Sequence, residues 1–172
     1  TWAALLMIYP PLAHARWRRI PIPLFEKQWK ELMRSLRLLL ITSLVVFPPF
    51  LIANHFFQEQ IAGLNFDPLP FDLVPVLLTQ LFLVSLPEEI LFRGWLQGIL
   101  ARFVSPAKAL LLTALLFAAA HSAITLRWWH FSIFFPALLF GWLRQKTGHL
   151  IVPILFHTAC NLIAIWISHS YR

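Results

Sequence analysis

Apolar residues fill this chain in long blocks, and short stretches rich in charge and proline separate them. A helix needs about 20 apolar residues to cross a bilayer. On that measure Leu36–Phe57, Leu73–Leu100, Ala109–Leu126, Phe131–Leu143 and Leu150–Ile167 read as five spans. Trp2–Leu12 reads as a short or truncated sixth. Ala13-His14-Ala15 has the form of a signal-peptidase site, but the positive charges follow the apolar stretch instead of preceding it. Between residues 25 and 36 the pattern changes. Phe25, Trp29, Leu32, Met33 and Leu36 recur at helical spacing, with Lys27, Lys30, Glu31 and Arg34 on the other face. That is the pattern of an amphipathic helix lying at a membrane surface, and it leads into the first long span. The fold class expected is therefore all-α: a polytopic bundle of five to six transmembrane helices with a cytoplasmic amphipathic helix. Residues 1–35 would form the N-terminal segment and residues 36–172 the bundle. Prolines are expected to interrupt the 73–100 span at Pro75 and Pro87 and to kink the 36–57 span at Pro48-Pro49.

Composition agrees with that reading. Of 172 residues, 59% are hydrophobic and 12% charged, about half the charged fraction of a soluble domain. The net charge of +7 does not point to nucleic acid. Eleven of the fourteen Lys and Arg fall in Arg16–Arg37, Arg102–Lys108 and Arg144–Lys146. Alternating spans place all three regions on one side, which the positive-inside rule makes cytoplasmic. A single cysteine, Cys160, excludes an internal disulfide and any Cys-rich metal site.

Charge inside the spans is costly, roughly 2.5–3.5 kcal/mol per group, so the exceptions are informative. Glu88, Glu89 and Arg93 sit within the apolar Leu86–Gly94 stretch. Glu89 and Arg93 are four apart, the spacing and order that favour an ion pair. Glu88 points about 100° away and has no partner in its own segment. Pro87 would suit the first turn of a restarted helix. The Glu89–Arg93 pair alone would also suit a staple between helices. His121 follows three alanines, small residues that let another helix approach closely. His157 and Asn161 are four apart on one face of the last span. Cys160 is expected to face away from that stripe. Depth joins the set. At 1.5 Å per residue, Glu88 and His121 lie about 20 Å from the basic ends of their helices, and His157 and Asn161 about 12 to 18 Å from the Gly148 turn.

Glu-Glu-x-x-x-Arg at 88–93, Phe-x-x-x-His at 117–121 and His-x-x-x-Asn at 157–161 come in that order on successive helices. In this the chain resembles the CPBP family of intramembrane endopeptidases: the CAAX prenyl proteases of type 2 and their bacterial relatives, also called Abi proteins. The resemblance covers about residues 70–168. It implies an integral membrane peptidase, in bacteria of the inner membrane, acting on a lipidated, CAAX-like or C-terminally anchored protein or peptide. It further implies that Glu88 activates water, that His121 holds that water, and that His157 and Asn161 form the oxyanion hole. Glu89 and Arg93 would orient the site. The chemistry is coherent: a carboxylate withdrawn from bulk water is a stronger base, and donors fixed in a dry site stabilise a developing oxyanion by several kcal/mol.

Three alternatives share these residues. Glu88, His121 and His157 are a one-carboxylate, two-histidine set of the kind that holds zinc, although no cofactor is the expectation and no His-Glu-x-x-His is present. A non-catalytic membrane partner of the same fold, such as a bacteriocin self-immunity protein, would not need all four polar groups at one depth. A proton or ion transporter would use membrane carboxylates and histidines, but the chain lacks an internal repeat of the kind many transporters carry.

Overall fold

The computed structural model describes residues 2–26, 28–67 and 72–172. Lys27 and the 68–71 stretch, including the Pro68 and Pro70 of the second loop, lie outside the described residues. The described residues form six helices: α1 Trp2–Trp17, α2 Trp29–Ile61, α3 Leu73–Leu100, α4 Pro106–Thr125, α5 Phe134–Thr147 and α6 Ile151–Ser170. A 3-10 turn at Trp128–Ile133 leads into α5. Helices α2, α3, α4 and α6 are long and apolar enough to cross a membrane. At 16 and 14 residues, α1 and α5 are shorter.

Local chemistry sets the helix ends. Ser105 caps α4, its hydroxyl accepting from the Lys108 N–H at 3.4 Å, and Pro106 takes the first helical position. The helix therefore starts three residues before the apolar run does. Gly148 closes α5 with φ +77° and donates its N–H to the Arg144 carbonyl, the left-handed cap that glycine adopts without strain. The amphipathic stretch is not a separate element. From Trp29 onward it is the first turns of α2, so its charged face runs straight into the span.

Helix α3 differs from expectation. Pro87 neither stops nor restarts it: the helix runs unbroken from Leu73 to Leu100. Instead it widens into π-type turns at Gln80–Ser85 and again at Ile90–Leu96. Leu86 donates its N–H to the Leu81 carbonyl, and Gln97 to Phe92, each five residues back. Proline has no N–H to give, and wider turns on either side absorb it without a break. With no helix end at Glu88, helix-dipole stabilisation there does not apply. Such bulges recur at functional sites, and here they bracket the one α-helical turn, Leu86–Glu89, that carries both carboxylates.

Two backbone straps fix α6. The first-turn N–H groups of a helix have no partner inside it. Those of Leu150 and Ile151 donate to the carbonyls of Pro23 and Leu24, each at 3.0 Å, in the extended linker after α1. His149 and Leu150 are buried as a result, so α6 begins inside the bundle and not at its surface. That offset accounts for the shorter depth of His157 from its turn. At the far end Phe66 pairs with Tyr171 in an antiparallel bridge, with Asn65 bonded to Arg172 and Asp67 to Ser170. Gln145 on α5 reaches the Pro106 carbonyl. The three basic regions thus share one end of the bundle, and the α2–α3 loop and C-terminus share the other.

Packing is densest around α4, α5 and α6. Phe92, Ala114, Phe117 and Ala137 form one apolar cluster, and Phe140, Leu143, Val152 and Phe156 another. Of the three alanines before His121, Ala118 alone is fully buried. Helix α2 stands at the margin, touching the second cluster through Leu38, Leu39, Val46 and Phe47.

Candidate active site

Glu88, His121, His157 and Asn161, chosen from three helices, all line one cavity of about 710 Å³. Its walls are otherwise largely apolar, with Phe117, Phe140 and Phe156 among them. Glu88 is 12% exposed there. Its Oε2 stands 3.8 Å from His121 Nε2 and 3.7 Å from His157 Nε2. Both separations are too long for direct hydrogen bonds and suit a bridging atom. Among the described residues Oε2 has no hydrogen-bond partner although it is buried; Glu89 Oε2 shares that state, but Glu89 is anchored through its other oxygen.

Hydrogen bonds set the protons on both rings. His121 Nδ1 lies 2.9 Å from the Phe117 carbonyl. A carbonyl only accepts, so Nδ1 carries the proton and a neutral ring turns a lone pair on Nε2 toward Glu88. His157 Nδ1 lies 2.9 Å from Glu89 Oε1, an oxygen that also accepts from Arg93. His157 Nδ1 is therefore a donor too. Its Nε2 is an acceptor in the neutral ring and a second donor in the imidazolium.

The expected Glu89–Arg93 ion pair is present. Arg93 donates to Glu89 Oε1 at 3.0 Å and to the Ala137 carbonyl at 3.2 Å. Both side chains are fully buried. Arg93 lies over Phe117, its guanidinium carbon 4.2 Å from the ring centroid, and 5.0 Å from that of Phe140. Phe140 in turn stacks on His157 at 4.5 Å. The cation thus braces the two rings that border the histidines, a favourable desolvated cation–π geometry.

Two features lay outside the sequence reading. Gln80 Oε1 accepts from Asn161 Nδ2 at 2.9 Å. A glutamine alone in the apolar Leu77–Val84 run was a signal for it. Helix α2 adds Val46, Phe47 and Phe50 to the cavity wall, which nothing in its apolar sequence distinguishes from lipid-facing positions. One expectation is corrected. Cys160 does not face away; it lines the same cavity. It is three residues past His157, about 60° around the helix, and the cavity is wider than that arc.

The zinc alternative requires donor atoms about 3.4 Å apart in a tetrahedral set. Among the described residues no three His, Cys, Asp or Glu side chains are placed to hold a metal ion.

Residues 70–163, more than half the chain, match the family model described as type II CAAX prenyl endopeptidase Rce1-like. All three motifs fall inside the match. No curated protein and no solved structure matches the chain.

Proposed function

Because the chain belongs to the Rce1-like family of type II CAAX prenyl endopeptidases, an integral membrane peptidase family, we propose that it cleaves its substrate by water attack driven by Glu88. The substrate is a membrane-embedded or lipidated protein or peptide with CAAX-like features. The observation that carries this reading is the unpartnered Glu88 Oε2 facing two imidazole nitrogens at 3.8 and 3.7 Å in an apolar cavity.

The water sits between these three atoms. It gives one hydrogen to Glu88 Oε2 and the other to the lone pair of His121 Nε2. As its oxygen bonds to the scissile carbonyl carbon, the first proton passes to Glu88. The carbonyl oxygen becomes an oxyanion. His157, carrying both ring protons with Glu89 as counter-ion, donates from Nε2, and Asn161 donates the Nδ2 hydrogen that Gln80 does not take. When the C–N bond breaks, Glu88 returns its proton to the departing amine.

The test uses the full chain in liposomes with a fluorogenic farnesylated peptide. Glu88→Gln and His121→Ala are expected to insert and fold yet lose cleavage. Activity is expected to survive a strong chelator. Normal cleavage by both variants rejects the mechanism, and loss on chelation with recovery on adding zinc replaces it with a metal one.

A further inference from the structure

A second cavity, of about 380 Å³, opens at the basic end of the bundle and shares no lining residue with the Glu88 cavity. Arg18, just past the end of α1, and Arg102, just past the end of α3, both line it. His14 and Trp95 also line it, with the buried Ile20 and half-buried Ile99 as its apolar floor and the largely exposed Phe103 beside them.

Two of the lining side chains are cations. An indole N–H only donates, so the 2.9 Å bond from Trp95 Nε1 to His14 Nδ1 makes that nitrogen the acceptor. The neutral ring then carries its proton on Nε2. Guanidinium groups have donors only. No carboxylate is among the described residues that line the cavity. Two cationic side chains without one favour an anion over a cation. A guanidinium matches the geometry of phosphate oxygens, and Arg18, which also lies 5.0 Å over the Trp17 ring, and Arg102 bring one each to this site.

Cations past a helix C-terminus also meet the helix dipole, worth about 0.3–1 kcal/mol. That explains one arginine at each helix end. It does not explain why both border one concave site with a tryptophan–histidine pair and an apolar floor. Basic pockets between spans at the positive end of a membrane protein suit anionic headgroups, and the floor suits the first carbons of an acyl chain.

We propose that this cavity binds the phosphate group of an anionic amphiphile. The apolar floor favours a lipid headgroup over a free phosphate ester as its source.

The experiment places the full chain in phosphatidylcholine nanodiscs and follows its thermal unfolding midpoint. Phosphatidylglycerol is titrated into one arm, and inorganic phosphate at constant ionic strength into the other. The midpoint is expected to rise with phosphatidylglycerol and not with phosphate. Arg18→Gln and Arg102→Gln should each require roughly 5-fold more of the lipid for the same rise. Arg37→Gln, an exposed charge on the same end outside the cavity, should leave the titration unchanged. An equal rise with inorganic phosphate, lost in the same two variants, keeps the phosphate site and makes a free phosphate its ligand. A titration unaffected by both single variants, or weakened as much by Arg37→Gln, overturns the proposal.

Discussion

His157 meets Glu89 through Nδ1 at 2.9 Å, while its other nitrogen stands 3.7 Å from Glu88. One imidazole therefore links the two carboxylates, and only one of them is tied down. Glu89 is held through Oε1 by Arg93 and His157 together, whereas Glu88 Oε2 has no hydrogen-bond partner among the described residues. On the proposed mechanism these neighbours of the same type have different duties, because one faces the packed interior and the other the cavity.

Replacing each carboxylate separates those duties. Glu88→Gln is expected to lower kcat by about 10³-fold or more, and Glu89→Gln by less than about 10²-fold. Glu89→Ala also strands a buried guanidinium and should cost about 3–5 kcal/mol in stability. Cleavage rates on folded protein, read beside denaturation midpoints, check all three. Equal rate losses at the two positions would give Glu89 a chemical role.

Gln80 orients Asn161 without lining the cavity. Gln80→Leu frees the Asn161 amide to turn, so kcat should fall about 10-fold, short of the loss from removing an oxyanion donor outright. KM should stay near its starting value, since the substrate is not touched. A change in KM alone would make Gln80 a binding residue instead.

Gly94 shows how tightly the linker after α1 lies on α3. A Cβ there would stand 2.8 Å from Ile22 Cγ2 and 3.1 Å from Leu150 Cδ1. Gly94→Ala gains some helix propensity but overpacks the contact, and should destabilise by about 1–3 kcal/mol. Chemical denaturation in mixed micelles measures this. A stability equal to or above the parent would mean that the linker shifts freely.

His149 lies between α5 and α6, buried, with Nε2 bonded to Ser35 and no partner for Nδ1. Burial holds its pKa below the ordinary histidine value, Glu26 opposes that shift, and Arg144 adds to it. Folding therefore favours the neutral ring. The unfolded chain binds the proton more readily, so stability is complete above the usual histidine range and declines as pH drops through it. Between pH about 7 and 5 the unfolding midpoint should fall more steeply in the parent than in His149→Gln. Parallel slopes would remove His149 from the account.

Much of this was legible in the chain. Spans announced themselves through apolar runs, and the charged or imidazole residues inside them were conspicuous because lipid tolerates so few. Their convergence followed from comparable depths on successive helices. Less legible was anything that depends on backbone widening or cavity breadth. Pro87 reads as a break because an ordinary α-helix cannot host its ring, yet π-type turns on either side let α3 continue. Cys160 was misplaced because a stripe on a helical wheel is narrower than the space beside α6. Phe47 carries no mark distinguishing a cavity wall from a lipid contact, and that difference arises only when α2 meets Phe156, their rings stacked at 5.2 Å.

The tethers on α6 have a mechanical consequence. Pro23 and Leu24 grip its first turn, and the segment around Phe66 grips its last residues. A rod clamped at both tips cannot tilt or slide without releasing a clamp, so His157 and Asn161 keep their height in the bundle. Helix α2 hangs from the same two anchorages, through Ser35 on His149 and His55 on Tyr171.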